Sequence, residues 1–207
     1  MKQPVMTCLD MEGVLTPEIW LAVASKTGIT GLKVTTRDIP DYDELMQMRL
    51  KILAENRVRI TDIREVVANL GPLEGASAFL DWLRARCQVV ILSDTFYELV
   101  APLMQQLQYP SIFCNSLDVD NEGFIRNYHL RQPDQKRHAV IALKSLNFRI
   151  LAAGDSYNDI SMLKEADAGA LFCPPDSIKS EFPQFSVANS YSELQREFCQ
   201  AGGPVSY

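Results

Sequence analysis

Four short apolar runs decide what this chain can fold into: Val5 to Leu9, Gln88 to Leu92, Phe148 to Ala153 and Ala170 to Cys173. None shows the strict alternation of apolar and polar residues that marks a strand with one wet face. Strands apolar on both faces must be covered on both sides, and the stretches between these runs carry helical periodicity. The pattern predicts a parallel sheet between two layers of helices. A further strand is expected over Phe185 to Ala188, and a hairpin over Ser116 to Tyr128 that turns at Asn121-Glu122-Gly123.

Residues 16–72 interrupt the alternation and carry almost no strand signal. Thr16 is a candidate cap for a first helix, with Pro17 in its first turn and Gly28 at its end. Asp41-Tyr42-Asp43-Glu44 opens a second helix with Tyr42, Leu45, Met48 and Ile52 on one face, and a third covers about Thr61 to Leu70. Gly71-Pro72-Leu73-Glu74-Gly75 then reads as a hinge. The expected organisation is a three-layer, Rossmann-like α/β core of residues 1–15 and 73–207, with a small helical cap of residues 16–72 inserted after the first strand. The 207 residues suffice for one such core and its insert. Core helices are expected over Gly75 to Arg86, Tyr97 to Gln108, Lys136 to Leu146, Asn158 to Ala166 and Ser192 to Phe198.

Charge and cysteine usage narrow the partners. Lys and Arg number 20 against 26 Asp and Glu, a net charge of −6, which argues against a general nucleic-acid binder. The five cysteines, Cys8, Cys87, Cys114, Cys173 and Cys199, form no C-x-x-C pair and read as reduced core residues rather than a zinc site. No signal peptide opens the chain, and no apolar run approaches the length of a membrane span. A cytoplasmic protein without nucleic-acid or membrane partners is expected; monomer and homodimer both remain open.

In a sheet of this kind, ligands bind outside the carboxyl ends of the strands. Asp10 and Glu12 follow the first run one residue apart, so both side chains can face one site. Ser93-Asp94-Thr95 follows the second, and Gly154-Asp155-Ser156-Tyr157-Asn158-Asp159 the third. The carboxylates of Asp10, Asp155 and Asp159 suit a hard divalent cation such as Mg2+. Ser93 offers a hydroxyl and adjacent turn amides to anionic oxygens, and Lys136, heading a helix that leads into the Asp155 strand, adds a positive charge. A carboxylate nucleophile, a second carboxyl for protons, a cation and a phosphate clamp describe phosphoryl transfer through an aspartyl-phosphate. Singly, each residue has a plainer reading: Ser93 as a helix cap, Asp159 as a first-turn acid, Glu18 as compensation for a helix dipole, Arg49 as an exposed helix charge. Trp20 and Trp82 read as core, His129 and His138 receive no role, and Arg37 and Arg131 are further candidates for an anion pocket.

The order and type of these residues resemble the four motifs of the haloacid dehalogenase superfamily: Asp10-Met11-Glu12-Gly13-Val14, then Ser93, Lys136 and Gly154 to Asp159. The helical insert is similar to the cap of phosphoserine phosphatases. Leu9 to Leu15, Thr35 to Asp43 and Leu92 to Tyr97 resemble the bacterial branch that also transfers phosphate to homoserine. The resemblance implies an Mg2+-dependent enzyme that hydrolyses O-phospho-L-serine, with homoserine as a second acceptor. It implies Asp10 as nucleophile and Glu12 as acid/base. Mg2+ would lie on Asp10, the Glu12 backbone carbonyl and Asp155, with Asp159 behind them. Ser93 and Lys136 would hold phosphate, and Glu18 and Arg49 the amino and carboxylate groups. Three departures stand out: Glu12 replaces the usual Asp, Glu18 lies one residue closer to the nucleophile than in typical phosphoserine phosphatases, and Asp94, a candidate substrate-binding residue, replaces a small one. The competing readings are a phosphatase of another small phosphomonoester and a non-catalytic phosphate-binding regulatory module.

Overall fold

In the computed structural model, which describes residues 3–36, 38–39 and 41–203, the strands form one seven-stranded sheet. Strands β1 (Val5–Leu9), β2 (Gln88–Phe96), β3 (Ser111–Val119), β4 (Ile125–His129), β5 (Arg149–Gly154), β6 (Ala168–Phe172) and β7 (Ser186–Ala188) stand in the order β4-β3-β2-β1-β5-β6-β7. β4 runs antiparallel to β3, and the other pairs are parallel. The first apolar run is therefore the central strand, with Leu9 in register with Ile91 on one side and Ala153 on the other.

The helices are α1 (Ile19–Thr27), α2 (Tyr42–Glu55), α3 (Ile60–Ala68), α4 (Ala76–Arg84), α5 (Tyr97–Gln106), α6 (Gln135–Ser145), α7 (Ile160–Glu165), α8 (Asp176–Glu181) and α9 (Tyr191–Gln200). Successive strand residues serve opposite layers. Cys8, Val90, Ile150, Ala152 and Leu171 pack with Val140 of α6, Met162 of α7 and Ile178 of α8. Leu9, Ile91, Leu151, Ala153 and Phe172 pack with Phe79 of α4, Leu103 of α5 and Phe198 of α9. Both faces are thus dry, as the unalternating runs require. Cutting one such buried Ile or Leu to Ala costs about 2–5 kcal/mol.

Helices α1 to α3 fall between β1 and β2, and their buried Val23, Met46 and Ile63 join the same cluster as Ile91 and Leu151. The chain enters and leaves this block side by side: the Leu73 amide donates to the Leu15 carbonyl at 2.9 Å. Asp41 caps α2 as its sequence suggests, accepting from the Asp43 and Glu44 amides.

Several expectations need correction. α1 starts at Ile19, and Thr16 does not cap it; the Thr16 hydroxyl is buried and donates to the Met11 carbonyl. β2 continues past Leu92 through Ser93, Asp94 and Thr95, with its pairing to β3 shifting between Leu92 and Phe96. β3 begins at Ser111, so its first half extends the parallel sheet before its second half makes the hairpin. Helix α8 was not foreseen; six residues show too little periodicity to read. Cys8, Cys87 and Cys114 are buried, whereas Cys173 and Cys199 are exposed and not core residues. Arg37 lies outside the described residues. Among those described, no helix is long and apolar enough to cross a membrane.

Candidate active site

The site is built on the ends of β1, β2 and β5. The Asp10 amide donates to the Ala153 carbonyl at 2.9 Å, which extends the β1–β5 ladder by one residue and fixes Asp10 at the sheet edge. The chain then folds tightly, with the Leu15 and Thr16 amides both donating to the Met11 carbonyl. Gly13, at φ +81°, lets this loop lie against Asp155: a Cβ there would sit 2.5 Å from the Asp155 carboxyl carbon.

The β5 exit is equally close. One Asp159 oxygen accepts the Asp155 amide at 3.0 Å and the Ser156 amide at 3.1 Å, so the last acid of the segment holds its first in place. A Cβ on Gly154 would lie 2.3 Å from the Asp159 carboxyl carbon, which explains why only glycine fits before Asp155. Carboxylate oxygens of Asp10, Asp155 and Asp159 lie within 4.8 Å of one another. Lys136, 2 % exposed, enters from the start of α6 and places Nζ 2.9 Å from Asp10, 2.7 Å from Asp159 and 3.6 Å from Asp94.

The buried Asp10 and Asp159 and the half-buried Asp94 around one ammonium leave an excess of negative charge. Burial, together with Asp159 and Asp155, pushes the Asp10 carboxyl well above the usual range even against Lys136. Burial works against the charge of Lys136, but Asp10, Asp159 and Asp94 outweigh it and hold its pKa well above the ordinary lysine value. Asp94 behaves oppositely to Asp10. Burial raises its pKa, yet Lys136, Asn158 and Gln135 together bring it below the ordinary value.

Glu12 is half-buried, and its Oε2 accepts the Ile19 amide at 2.8 Å. Burial and then the adjoining Glu18 carboxylate push its pKa up to about 8, while the Ile19 amide and Arg49 pull it down. Arg49 is buried over the Trp20 ring, its guanidinium carbon 4.7 Å from the ring centroid, and its Nη2 donates to the Val34 carbonyl at 3.1 Å. Arg49 Nε meets no hydrogen-bond partner among the described residues. Ser93 is buried, with its Oγ accepting the Thr95 amide and its carbonyl accepting the Gln135 side chain at 2.8 Å.

Asp10, Glu12, Glu18, Arg49, Ser93, Asp94 and Asp155 line one cavity of about 230 Å3. Lys136 lines the adjoining cleft of about 690 Å3, which meets the first at Thr36, Tyr42, Asp94 and Asn158. Asp159 lines neither; it lies beneath, holding the loop. Arg131 stands apart over the Phe113 ring with its Nε on Gln135. Sequence reasoning passed over three residues here. Trp20 is a core residue, as its pattern indicates, but it also lines the cavity under Arg49, which the pattern does not show. Asn158 faces the site from within the Gly154–Asp159 segment, where its amide could have been noticed. Tyr42 was placed only on an apolar helix face, and no local signal shows its hydroxyl reaching the Asp94 carbonyl. Buried carboxylates, a half-buried carboxyl, a hydroxyl and an ammonium converging on one sheet edge have the chemistry that transfer of a phosphoryl group would need.

The family model of haloacid dehalogenase-like hydrolases matches residues 8–167. The chain is 58 % identical over 196 residues to phosphoserine phosphatase ThrH of Pseudomonas aeruginosa, covering 95 % of this chain and 96 % of that one. It is 57 % identical to a phosphoserine phosphatase of Pseudomonas syringae, over 95 % of this chain and 83 % of the relative. Among solved structures, substrate-bound phosphoserine phosphatase superposes with a TM-score of 0.77 at 20 % identity, over 95 % of this chain and 97 % of that one. A phospho-aspartyl intermediate analogue of phosphoserine phosphatase gives 0.78 at 19 % identity, over 94 % and 99 %. At such identities these likenesses concern the fold alone.

Proposed function

The chain belongs to the haloacid dehalogenase-like hydrolase family, and from that membership we propose that it is an Mg2+-dependent phosphatase of O-phospho-L-serine. One observation carries the reading: a single cavity holds a buried carboxylate, Asp10, and a buried guanidinium, Arg49, whose Nε has no partner among the described residues. Phosphoserine supplies the complement, a phosphate for the Asp10 side, a carboxylate for Arg49 and an ammonium for Glu18. The names of the two Pseudomonas relatives support the same substrate.

In the proposed reaction an Asp10 oxygen attacks phosphorus, and the bond from phosphorus to the serine oxygen breaks. Glu12 gives its proton to that oxygen, so serine leaves as a neutral alcohol. Glu12, now anionic, takes a proton from water as the water attacks phosphorus, and Asp10 is freed with release of inorganic phosphate. Ser93 and Lys136 hold the non-bridging oxygens, and Lys136 together with a bound cation would favour the Asp10 anion against the burial that favours its neutral form. Mg2+ fits this donor set, because hard carboxylate oxygens converge there with more negative charge than Lys136 can balance. Asp10, the Glu12 carbonyl and Asp155 would hold it, with Asp159 fixing the Asp155 loop. Bound there, the cation offsets repulsion between the nucleophile and the phosphate.

Residues 16–72 act in this proposal as a cap on a core of residues 1–15 and 73–207. Its two connections meet at the Leu15–Leu73 hydrogen bond, and it carries Glu18 and Arg49. Homoserine shares the ammonium and carboxylate of serine, and we extend the proposal to it as an acceptor competing with water. The test is phosphate release from phosphoserine against a panel of sugar phosphates and nucleotides at fixed Mg2+, with and without homoserine. Phosphoserine should be turned over fastest, and phosphorus NMR should show phosphohomoserine. Preference for another ester would replace the substrate, and no turnover of any ester would favour a binding module.

A further inference from the structure

Asp94 stands where β2 meets four other segments. It lies on β2 beside Ser93, at the place where the pairing of β2 with β3 shifts. Its backbone carbonyl accepts two side chains, the Tyr42 hydroxyl of α2 at 2.9 Å and the Asn115 amide of β3 at 3.1 Å. Its carboxylate accepts the Gln135 amide on one oxygen at 3.0 Å and the Asn158 amide on the other at 2.7 Å. The second oxygen also lies 3.6 Å from Lys136 Nζ.

The arrangement around Lys136 gives this network a function. An ammonium has three N–H bonds. Two are directed at Asp10 and Asp159, at 2.9 and 2.7 Å. Asp94 is too far for a third direct bond of good geometry, yet its charge attracts the buried ammonium. The third N–H is thereby turned toward the Asp94 side and stays available to an incoming oxygen. Asn158 is oriented in the same way: one end of its amide is tied to Asp94 and the other to the Ser156 hydroxyl. With an amide donor already on each oxygen, the Asp94 carboxylate is occupied by protein groups, and its charge would repel a phosphate.

We propose that Asp94 is a positioning residue for phosphoryl transfer, aiming Lys136 and Asn158 at the phosphoryl group and tying α2 to the same strand through Tyr42, rather than a ligand of the substrate. This inference rests on the proposed phosphatase reaction. It does not depend on which ester is the natural one, since Lys136 and Asn158 act on the phosphoryl group common to all of them.

The test uses the full chain with Mg2+ and two substrates, phosphoserine and p-nitrophenyl phosphate, which has neither ammonium nor carboxylate. Asp94→Asn keeps the shape but removes the charge beside Lys136 and sets an amide donor against either the Gln135 or the Asn158 amide. Its kcat should fall roughly 10- to 100-fold, as when a partner behind a contacting group is lost, and by the same factor on both substrates. Asn158→Asp, at an exposed side chain, sets two carboxylates face to face and should lower kcat on both substrates alike. The double variant Asp94→Asn/Asn158→Asp restores one donor opposite one acceptor with the roles exchanged, and should be faster than either single variant. Multiplying losses in the double variant would overturn the proposal. So would a KM rise confined to phosphoserine, which would make Asp94 a substrate ligand. If Asp94→Asn yields no folded protein, Asn158→Asp decides alone: unchanged kcat overturns the proposal. Because each effect is a ratio to wild type on p-nitrophenyl phosphate as well, a different natural substrate leaves the result for Asp94 standing.

Discussion

The Glu12 carboxylate accepts the Ile19 amide at 2.8 Å, so the second acid after β1 also caps helix α1. The positive end of that helix favours the anion, while burial and Glu18 favour the neutral acid and prevail, placing its pKa at about 8. One carboxyl thus links the sheet edge, where the phosphoryl group would react, to the helical insert that carries Glu18 and Arg49.

A pH dependence follows from Glu12. If its protonated form gives the proton to the leaving serine, as proposed, kcat/KM for phosphoserine should fall as pH rises through about 8. Glu12→Gln should be slow and lack this limb. For stability the sign is the same. The folded-state pKa lies above the ordinary 4.5, so the contribution is complete below 4.5 and is lost as pH rises through about 8. Urea midpoints of Glu12→Gln should therefore decline less than wild type across that window.

In the proposed reaction Arg49 recognises the carboxylate of the substrate. Its planar fork lies over Trp20, and lysine reproduces neither the fork nor the stacking. Arg49→Lys should raise KM for phosphoserine about 10- to 100-fold, the worth of a hydrogen bond to a charged group, and leave KM for p-nitrophenyl phosphate within a small factor. Equal effects on both esters would assign Arg49 to the fold.

The acidic cluster predicts cation dependence that can be read without turnover. Added Mg2+ should raise the unfolding temperature of the EDTA-treated protein, since a ligand that binds only the folded state stabilises it. Asp155→Ala should shift that dependence to much higher Mg2+, and EDTA should abolish phosphate release. A wild-type unfolding temperature indifferent to Mg2+ would count against the site.

Much of this fold can be read from the sequence because the apolar runs of β1, β2 and β5 have no wet face and must be central. From that, the meeting of Asp10, Ser93 and Asp155 at one edge follows. The hairpin turn was legible for a local reason, since Gly123 adopts φ +86°. The misses share a different cause, namely partners distant in sequence. Thr16 has every local feature of a cap, yet the α1 amide is taken by Glu12, seven residues before Ile19. β2 passes through Ser93 and Asp94 because β3 offers Asn115 as a partner for Phe96. Trp20 is apolar in pattern, and only the folded chain brings it under Arg49, 29 positions later in the numbering.

Gly154 gives a purely steric prediction. Gly154→Ala would push a methyl to within 2.3 Å of the Asp159 carboxyl carbon, whose oxygen holds the Asp155 and Ser156 amides. Overpacking of this kind costs about 1–3 kcal/mol, and displacement of Asp155 should raise the Mg2+ requirement. Denaturant unfolding and Mg2+ titration would measure both effects; unchanged values would mean that the loop yields freely.

The central claim is that Asp10 carries the phosphoryl group, and it can be caught in Glu12→Gln with p-nitrophenyl phosphate. That leaving group needs no proton, so the first step should proceed, while the second, deprived of its base, should stall. Acid quenching followed by peptide mass analysis should find one phosphoryl group on the peptide containing Asp10, in step with a burst of p-nitrophenol, and none in Glu12→Gln that also carries Asp10→Asn. A burst with the phosphoryl group on another residue, or with none on the Asp10 peptide, would contradict the account.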